Sequence, residues 1–290
     1  MYPTILVMLA FDERDQDVLD AAASIAPAVG LQRVLLAHVH RQDPFPDWMS
    51  SAEVHSPAPP AALDEATAAL RARLPGIDVV GIHAVGSPPE QLQRIVAQED
   101  VDLLVIGRNA AVDNDSGWGP SGRELLRAVT CSALVVPRDA EVDLATAVVG
   151  LDFSHGSTSA LRAAAQIAAR TDAVYQYDLR AVAVGTQTEA AFAERIEAAA
   201  RAHFEEDVLP ALGDVRRPTF SIIQAEKASS TLIDRAADKL LVVGSRGMTR
   251  LATLLLGSTA EVTAGRARGP VLIVRTKGEQ LGLLAGLVHR

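Results

Sequence analysis

The residues best suited to chemistry lie late in the chain. Gly244-Ser-Arg-Gly247 is separated by nine residues from Gly257-Ser258-Thr259. This arrangement suits a phosphate. Gly244 and Gly247 admit left-handed turns and let the main chain come close to a ligand. Ser258 and Thr259 add hydroxyls at the start of a helix, where free N–H groups and a partial positive charge are already presented. Arg246 and Arg250 supply cations, and no acid stands between Gly244 and Thr259. A plain strand–loop–helix connection whose glycines serve turns has the same composition, so on composition alone the two readings are level.

The elements that position this loop belong to a repeated unit. Thr4 to Ala26 (TILVMLAFDERDQDVLDAAASIA) and Thr146 to Ala168 (TAVVGLDFSHGSTSALRAAAQIA) agree without a gap at 10 of 23 positions. Later, VDLLVIG at Val101–Gly107 parallels DKLLVVG at Asp238–Gly244, and ALVV at Ala133–Val136 parallels VLIV at Val271–Val274. Two copies of one unit, each of about 140 residues, account for this. Short, near-continuously apolar runs read as parallel strands covered on both faces. In the first copy these are 5–9, 34–40, 79–84, 103–106 and 133–136; in the second, 147–151, 174–182, 220–225, 240–243 and 271–274. Ala-rich amphipathic stretches alternate with them as helices: 17–29, 61–74, 88–98 and 121–128, then 157–169, 189–212, 229–236 and 259–266. The expected fold is α/β: two tandem Rossmann-like repeats, each a five-stranded parallel sheet with helices on both faces. Ligands of such sheets bind beyond the carboxyl ends of the strands, where strand order reverses.

Composition narrows the partners. The chain has 290 residues, 49% hydrophobic and 22% charged, which excludes disorder and favours two domains. The charge-free apolar stretch 281–288 is far short of the roughly 20 residues a bilayer needs, and no secretory signal opens the sequence. With a single cysteine, Cys131, a cytoplasmic location is expected. A net charge of −9 argues against nucleic acid and anionic membranes. The charge is unevenly shared, at −10 over residues 1–142 and +1 over 143–290. An anionic ligand therefore finds its easier host in the second half.

LLVVGSRGMTRLATLLLGSTAE, at 240–261, resembles the nucleotide loop of the universal stress protein family, G-x2-G-x9-G-(S/T), with agreement at every spacing. The resemblance covers nearly the whole chain twice, leaving out a proline-rich insertion at 41–60 and a tail at 278–290. It implies a universal stress protein domain at 1–140, a second at 143–277, and an adenine nucleotide α-hydrolase-like fold. It also implies roles. Asp152 matches the family aspartate at the adenine end, while Gly244, Arg246, Gly247, Gly257, Ser258 and Thr259 match the ribose and phosphate positions. Without that motif Asp152 would read as a turn or helix-start acid; with it, the adenine-end role is the expected one. One departure stands out. Where many members carry glycine and then proline or alanine after the third strand, this chain has Glu226-Lys227-Ala228. Glu226 is expected to crowd the ribose and Lys227 to compensate in part.

In the first copy the same site is broken. Ala10 stands where Asp152 stands, Ala110 replaces the second glycine, and the loop to Gly119-Pro120-Ser121 is one residue short. Pro120 removes a backbone donor. Asp113 and Asp115 would each cost about 1 kcal/mol beside a triphosphate even at water-like screening. Gly86-Ser87-Pro88 is retained.

Other features carry less. Gly117-Trp-Gly119-Pro-Ser-Gly122 fits G-x-G-x-x-G but lacks a strand immediately before it. His38 and His40 share a strand face without a visible third metal ligand. Ser154 and His155 read as a helix cap, Cys131 as an inert thiol, and 189–212 as a packing helix. No Walker, zinc-protease or nucleophile-elbow pattern occurs, and no catalytic residue or protein-bound metal is expected.

Together these features lead to the expectation of a tandem universal stress protein whose second domain binds ATP, with or without Mg2+. It would act as a nucleotide-dependent stress-response regulator rather than an enzyme, with ATP hydrolysis very slow at most. Partners would be an adenine nucleotide, a second copy or an intramolecular pseudo-dimer paired through the last strand of each unit, and a protein of unknown identity. The alternatives are an interaction scaffold with both sites vacant, or a slow ATPase.

Overall fold

The computed structural model describes residues 1–12, 15–41, 60–108, 118, 122–181, 189–245 and 256–276. It divides into two compact units, one holding the described residues up to Glu141 and the other those from Val142 onward.

In the first unit, β1 (Thr4–Met8), β2 (Arg33–His40), β3 (Asp78–Val85), β4 (Leu103–Arg108) and β5 (Ser132–Pro137) form a parallel sheet in the order β3-β2-β1-β4-β5. Between them run α1 (Asp15–Val29), α2 (Pro60–Arg73), α3 (Pro88–Gln98) and α4 (Gly122–Ala128). The central strands are wholly apolar because helices cover both faces; Ile5, Leu6, Val7, Val34, Leu35 and Leu104 have no exposed surface. Pro88 opens α3, where its missing N–H is no loss, and Ser87 precedes it in extended backbone.

The second unit repeats the plan. β6 (Ala147–Leu151), β7 (Thr171–Tyr177), β8 (Thr219–Gln224), β9 (Leu240–Gly244) and β10 (Val271–Val274) lie in the order β10-β9-β6-β7-β8, all parallel. The helices are α5 (His155–Ile167), α6 (Glu189–His203), α7 (Leu209–Leu212), α8 (Ala228–Ala236) and α9 (Ser258–Arg266). The α/β class and the two five-stranded repeats thus match expectation. In each unit strand order reverses beside the first strand, between β1 and β4 and between β6 and β9.

Two elements differ from the sequence reading. The strand expected at 174–182 spans Thr171–Tyr177 instead and gives way to a 3-10 turn at Leu179–Ala181. Asp178 ends it: its Oδ1 accepts the Arg180 N–H at 2.9 Å, an Asx-type turn that competes with the ladder. The helix expected at 189–212 is interrupted by a π-helical turn, Phe204–Val208, closed by the Leu209 N–H on the Phe204 carbonyl. Pro210 has no N–H to continue the α-helical pattern, so the helix widens there. Phe204 is buried and stacks on Phe220 with ring centroids 4.2 Å apart.

Candidate functional site

At the strand-order reversal of unit 2, Asp152 follows β6 and Gly244 closes β9, on neighbouring strands. The turn after β6 is self-organised. Asp152 Oδ1 accepts the Ser154 N–H at 3.1 Å, and the Asp152 N–H donates to Ser157 Oγ at 3.2 Å. Ser154 Oγ caps α5 by accepting from the Ser157 N–H. The helix therefore starts at His155, two residues before the expected start at 157. Asp152 thus serves its turn with one oxygen, and among the described residues Oδ2 accepts no hydrogen bond.

Gly244 has a different purpose from the one its type suggests. Its backbone is not left-handed. A β-carbon there would stand 2.8 Å from the Gly156 carbonyl carbon and 3.0 Å from the Ser157 nitrogen. Glycine lets the end of β9 lie against the first turn of α5, which puts β9, α5 and the Asp152 turn in direct contact.

The segment after Gly244 returns to the same place. Ser245, buried, donates its N–H to Val274 and accepts the Gly257 N–H at 2.8 Å on its carbonyl. Both ends of the 246–256 segment are thereby fastened together. Leu256 anchors the return in the core, and Gly257 takes extended backbone at the start of α9 without a side-chain cap. The first turn closes with Glu261 N–H on the Gly257 carbonyl, so the N–H groups of Ser258, Thr259 and Ala260 have no helical acceptor. Asp152, Gly244, Gly257, Ser258 and Thr259 thus fall along one run of contacts, whereas Arg246 and Gly247 lie outside the described residues.

A residue missed by the sequence reading borders this region. Arg180, in the turn after β7, binds both Asp178 oxygens (3.2 and 3.1 Å) and pairs with Glu226, the residue that departs from the family pattern. Arg180 hydrogen bonding holds the Asp178 carboxyl below its ordinary range, and the two carboxylates in turn raise the guanidinium. The signal was an acid two residues before an arginine inside an otherwise apolar run. An Asp-x-Arg of that kind is a turn rather than a strand.

The first unit is built differently at the same place. Asp15, the counterpart of Ser157, accepts the Ala10 N–H at 2.9 Å and the Phe11 N–H at 2.7 Å. Arg108 occupies the position of Ser245 and is buried, which pushes its pKa down. Trp118 is buried at the position of Leu256, and a β-carbon on Gly122 would sit 2.9 Å from its ring. Ala110, Asp113, Asp115, Gly119, Pro120 and Ser121 lie outside the described residues, as does most of the proline-rich insertion. His38 Nδ1 lies 2.9 Å from the Leu9 carbonyl and its ring stacks on His83 of β3. His83 is the third histidine the sequence did not place, yet among the described residues no cluster of three groups fit to hold a metal is present. Cys131, the single cysteine of the chain, is buried and forms no internal disulfide, and among the described residues no helix is long and apolar enough to cross a membrane.

The universal stress protein family model matches residues 1–137 and again 145–275. The chain belongs to the universal stress protein family. Two solved structures share the fold over nearly its full length. A universal stress protein from Archaeoglobus fulgidus DSM 4304 is 15% identical with a TM-score of 0.64, covering 95% of this chain and 99% of that one. A functionally unknown protein from Pseudomonas aeruginosa PAO1 is 17% identical with a TM-score of 0.67, covering 99% and 98%. At these identities the likeness shows the fold alone. No curated protein matches significantly.

Proposed function

We propose that the second unit of this tandem universal stress protein binds ATP reversibly and that occupancy acts as a switch, with no turnover. The observation that carries this reading is the run of contacts from Asp152 through Ser157, Gly244 and Ser245 to Gly257. It sets a carboxylate and a helix start, both without a partner for the free oxygen and the first N–H groups among the described residues, at one strand-order reversal, the place where such sheets take ligands. Asp152 would accept from the base and ribose end. The N–H groups of Ser258, Thr259 and Ala260, with the Ser258 and Thr259 hydroxyls, would hold phosphate oxygens at the positive end of α9. Arg246 and Gly247 complete the motif in sequence. The phosphates, with Mg2+ where it accompanies them, bring their own charge, and the chain's part is to bind and orient them.

Arg180 bears on the departure at Glu226. An acid at this point is expected to oppose a nucleotide, but the ion pair with Arg180 turns part of its charge aside. The scaffold reading draws on the same residue. Calorimetry with ATP on the wild type, Asp152→Ala and Gly247→Val separates the possibilities. Binding that is weakened in both variants supports the switch. No heat below millimolar ATP supports a scaffold, and phosphate release over minutes an ATPase. Self-association as a homodimer is part of the proposal, and light scattering with and without ATP tests it.

A further inference from the structure

We propose that unit 2 carries a second ligand site, for a small anion dense in phosphate, at the opposite ends of its strands. A cleft of about 600 Å³ opens there, before β6, β7 and β8 and beside the last turn of α8. Its volume is that of a small-molecule site. Five cations line it, Arg170, Arg216, Arg217, Arg235 and Lys239, against one carboxylate, Asp172. In a chain with a net charge of −9, that is a local reversal of sign.

Asp172 is already committed. Its Oδ2 pairs with Arg235 at 2.8 Å, and its Oδ1 accepts the hydroxyls of Ser221 (2.7 Å) and Thr219 (3.3 Å). Arg217 is taken by Glu205. Asp238, beside Lys239 in sequence, pairs with Arg268 instead. Three cations then have no carboxylate among the described residues. Arg170 donates to Thr146 Oγ1 at 3.3 Å, Arg216 donates to the Ala169 carbonyl, and the Lys239 side chain has no partner among the described residues. Because Thr146 Oγ1 accepts from Arg170, its own proton is available to an anion. Fixed guanidinium forks and a point-charge ammonium suit the many oxygens of a phosphate-dense group.

Unit 1 is an internal control. Ala147 pairs with Thr171 and Leu240 as Ile5 pairs with Val34 and Leu103, so Arg170 corresponds to Arg33 and Lys239 to Asp102. By the same register Arg217 corresponds to Asp78. There Arg33 is neutralised by Asp78 at 3.2 Å and Glu99 at 2.7 Å, and Asp102 accepts the Thr4 N–H. Of these three positions unit 1 keeps a cation only at Arg33 and neutralises it there, so the gathering of unpaired cations in unit 2 is not a requirement of the sheet. Like charges held together repel, and a bound anion relieves that repulsion.

The cleft is distinct from the proposed ATP site. Lys239 and Gly244 bracket β9, whose length separates the two regions by about 16 Å. A small phosphate compound fits better than nucleic acid, because the rest of the acidic chain repels a long polyanion.

Pyrophosphate is the probe, titrated by calorimetry into the full chain carrying Gly247→Val, which disables the nucleotide loop. Asp152→Ala serves as a second background should that variant melt early. Pyrophosphate is expected to bind in both backgrounds and to lose about tenfold or more in affinity on adding Arg170→Gln with Lys239→Gln. Arg216→Gln is expected to weaken it separately, with unchanged thermal unfolding of the free protein in each case. Undiminished affinity in the Arg170→Gln/Lys239→Gln variant overturns the proposal. So does binding confined to proteins with an intact nucleotide loop, or a short single-stranded RNA that displaces pyrophosphate at a tenth of its concentration. Failure of ATP to bind would leave the result untouched.

Discussion

The two units place a phenylalanine identically and a carboxylate differently. Phe11 and Phe153, at matching positions beyond the first strand of each unit, both have left-handed backbone, φ 56° and 62°. A bulky residue there costs on the order of 1–2 kcal/mol, and each ring has a packing partner in return. Phe11 lies edge-on to His38 with centroids 4.7 Å apart; Phe153 lies 4.8 Å from both Tyr175 and His203. Around this shared turn, unit 1 has its acid on the helix, at Asp15, where two backbone N–H groups consume it. Unit 2 has its acid on the strand end, at Asp152, with a serine on the helix. Moving one carboxylate by five residues turns a possible ligand group into a loop fastener. The lesson is that two copies of one unit can keep the same strained turn while the carboxylate beside it is put to different use.

That contrast breaks in graded ways. Gly244→Val has the largest expected effect: a side chain driven into the backbone of Gly156 and Ser157 should lower unfolding free energy by about 3 kcal/mol, read by denaturant titration. An unchanged midpoint would show that the contact between β9 and α5 yields easily. Next, Asp152→Ala should weaken ATP binding about tenfold or more, while Asp15→Ala leaves it unaltered. Equal losses in calorimetry would mean that the two carboxylates do the same work. Asp15→Ala should instead destabilise the chain by about 1–2 kcal/mol, since two loop N–H groups lose their acceptor. Asp152→Ala, which frees only one, should cost less. The smallest effect is one of pH. Because the folded-state pKa of Asp178 is depressed, its pairing with Arg180 is fully present above the unfolded value of about 3.9 and is lost as pH falls through the folded value. Chemical shifts around Arg180 should therefore move only in that acid range, and Asp178→Asn should abolish the change.

How much of this is legible in the sequence depends on the range of each interaction. The strands at 147–151 and 271–274 and the helix at 88–98 match their observed bounds, because burial on both faces or a proline start writes them into a few consecutive residues. The strand that starts at Thr171 is misplaced by its apolar pattern, since the Asp178–Arg180 hydrogen bonds that end it are side-chain events within an apolar background. The long helix looks continuous in sequence because the effect of Pro210 falls on hydrogen bonds a turn earlier. Within the site, the types and spacing of Gly244, Gly257, Ser258 and Thr259 are plain, but the purpose of Gly244 is not. Its neighbours, Gly156 and Ser157, stand far away in sequence.

By itself, then, the sequence determined the repeat, the alternation of strand and helix, the family and the loss of the Asp152 equivalent in the first copy. Each is encoded in residue type at fixed local spacing. Only the tertiary structure decided that Asp15 consumes its charge on the loop, that Arg180 meets Glu226, and that Arg170, Arg216 and Lys239 gather in one cleft. Those contacts join residues brought together by strand order. Coulomb and hydrogen-bond energies depend on that distance in space, which no local pattern records.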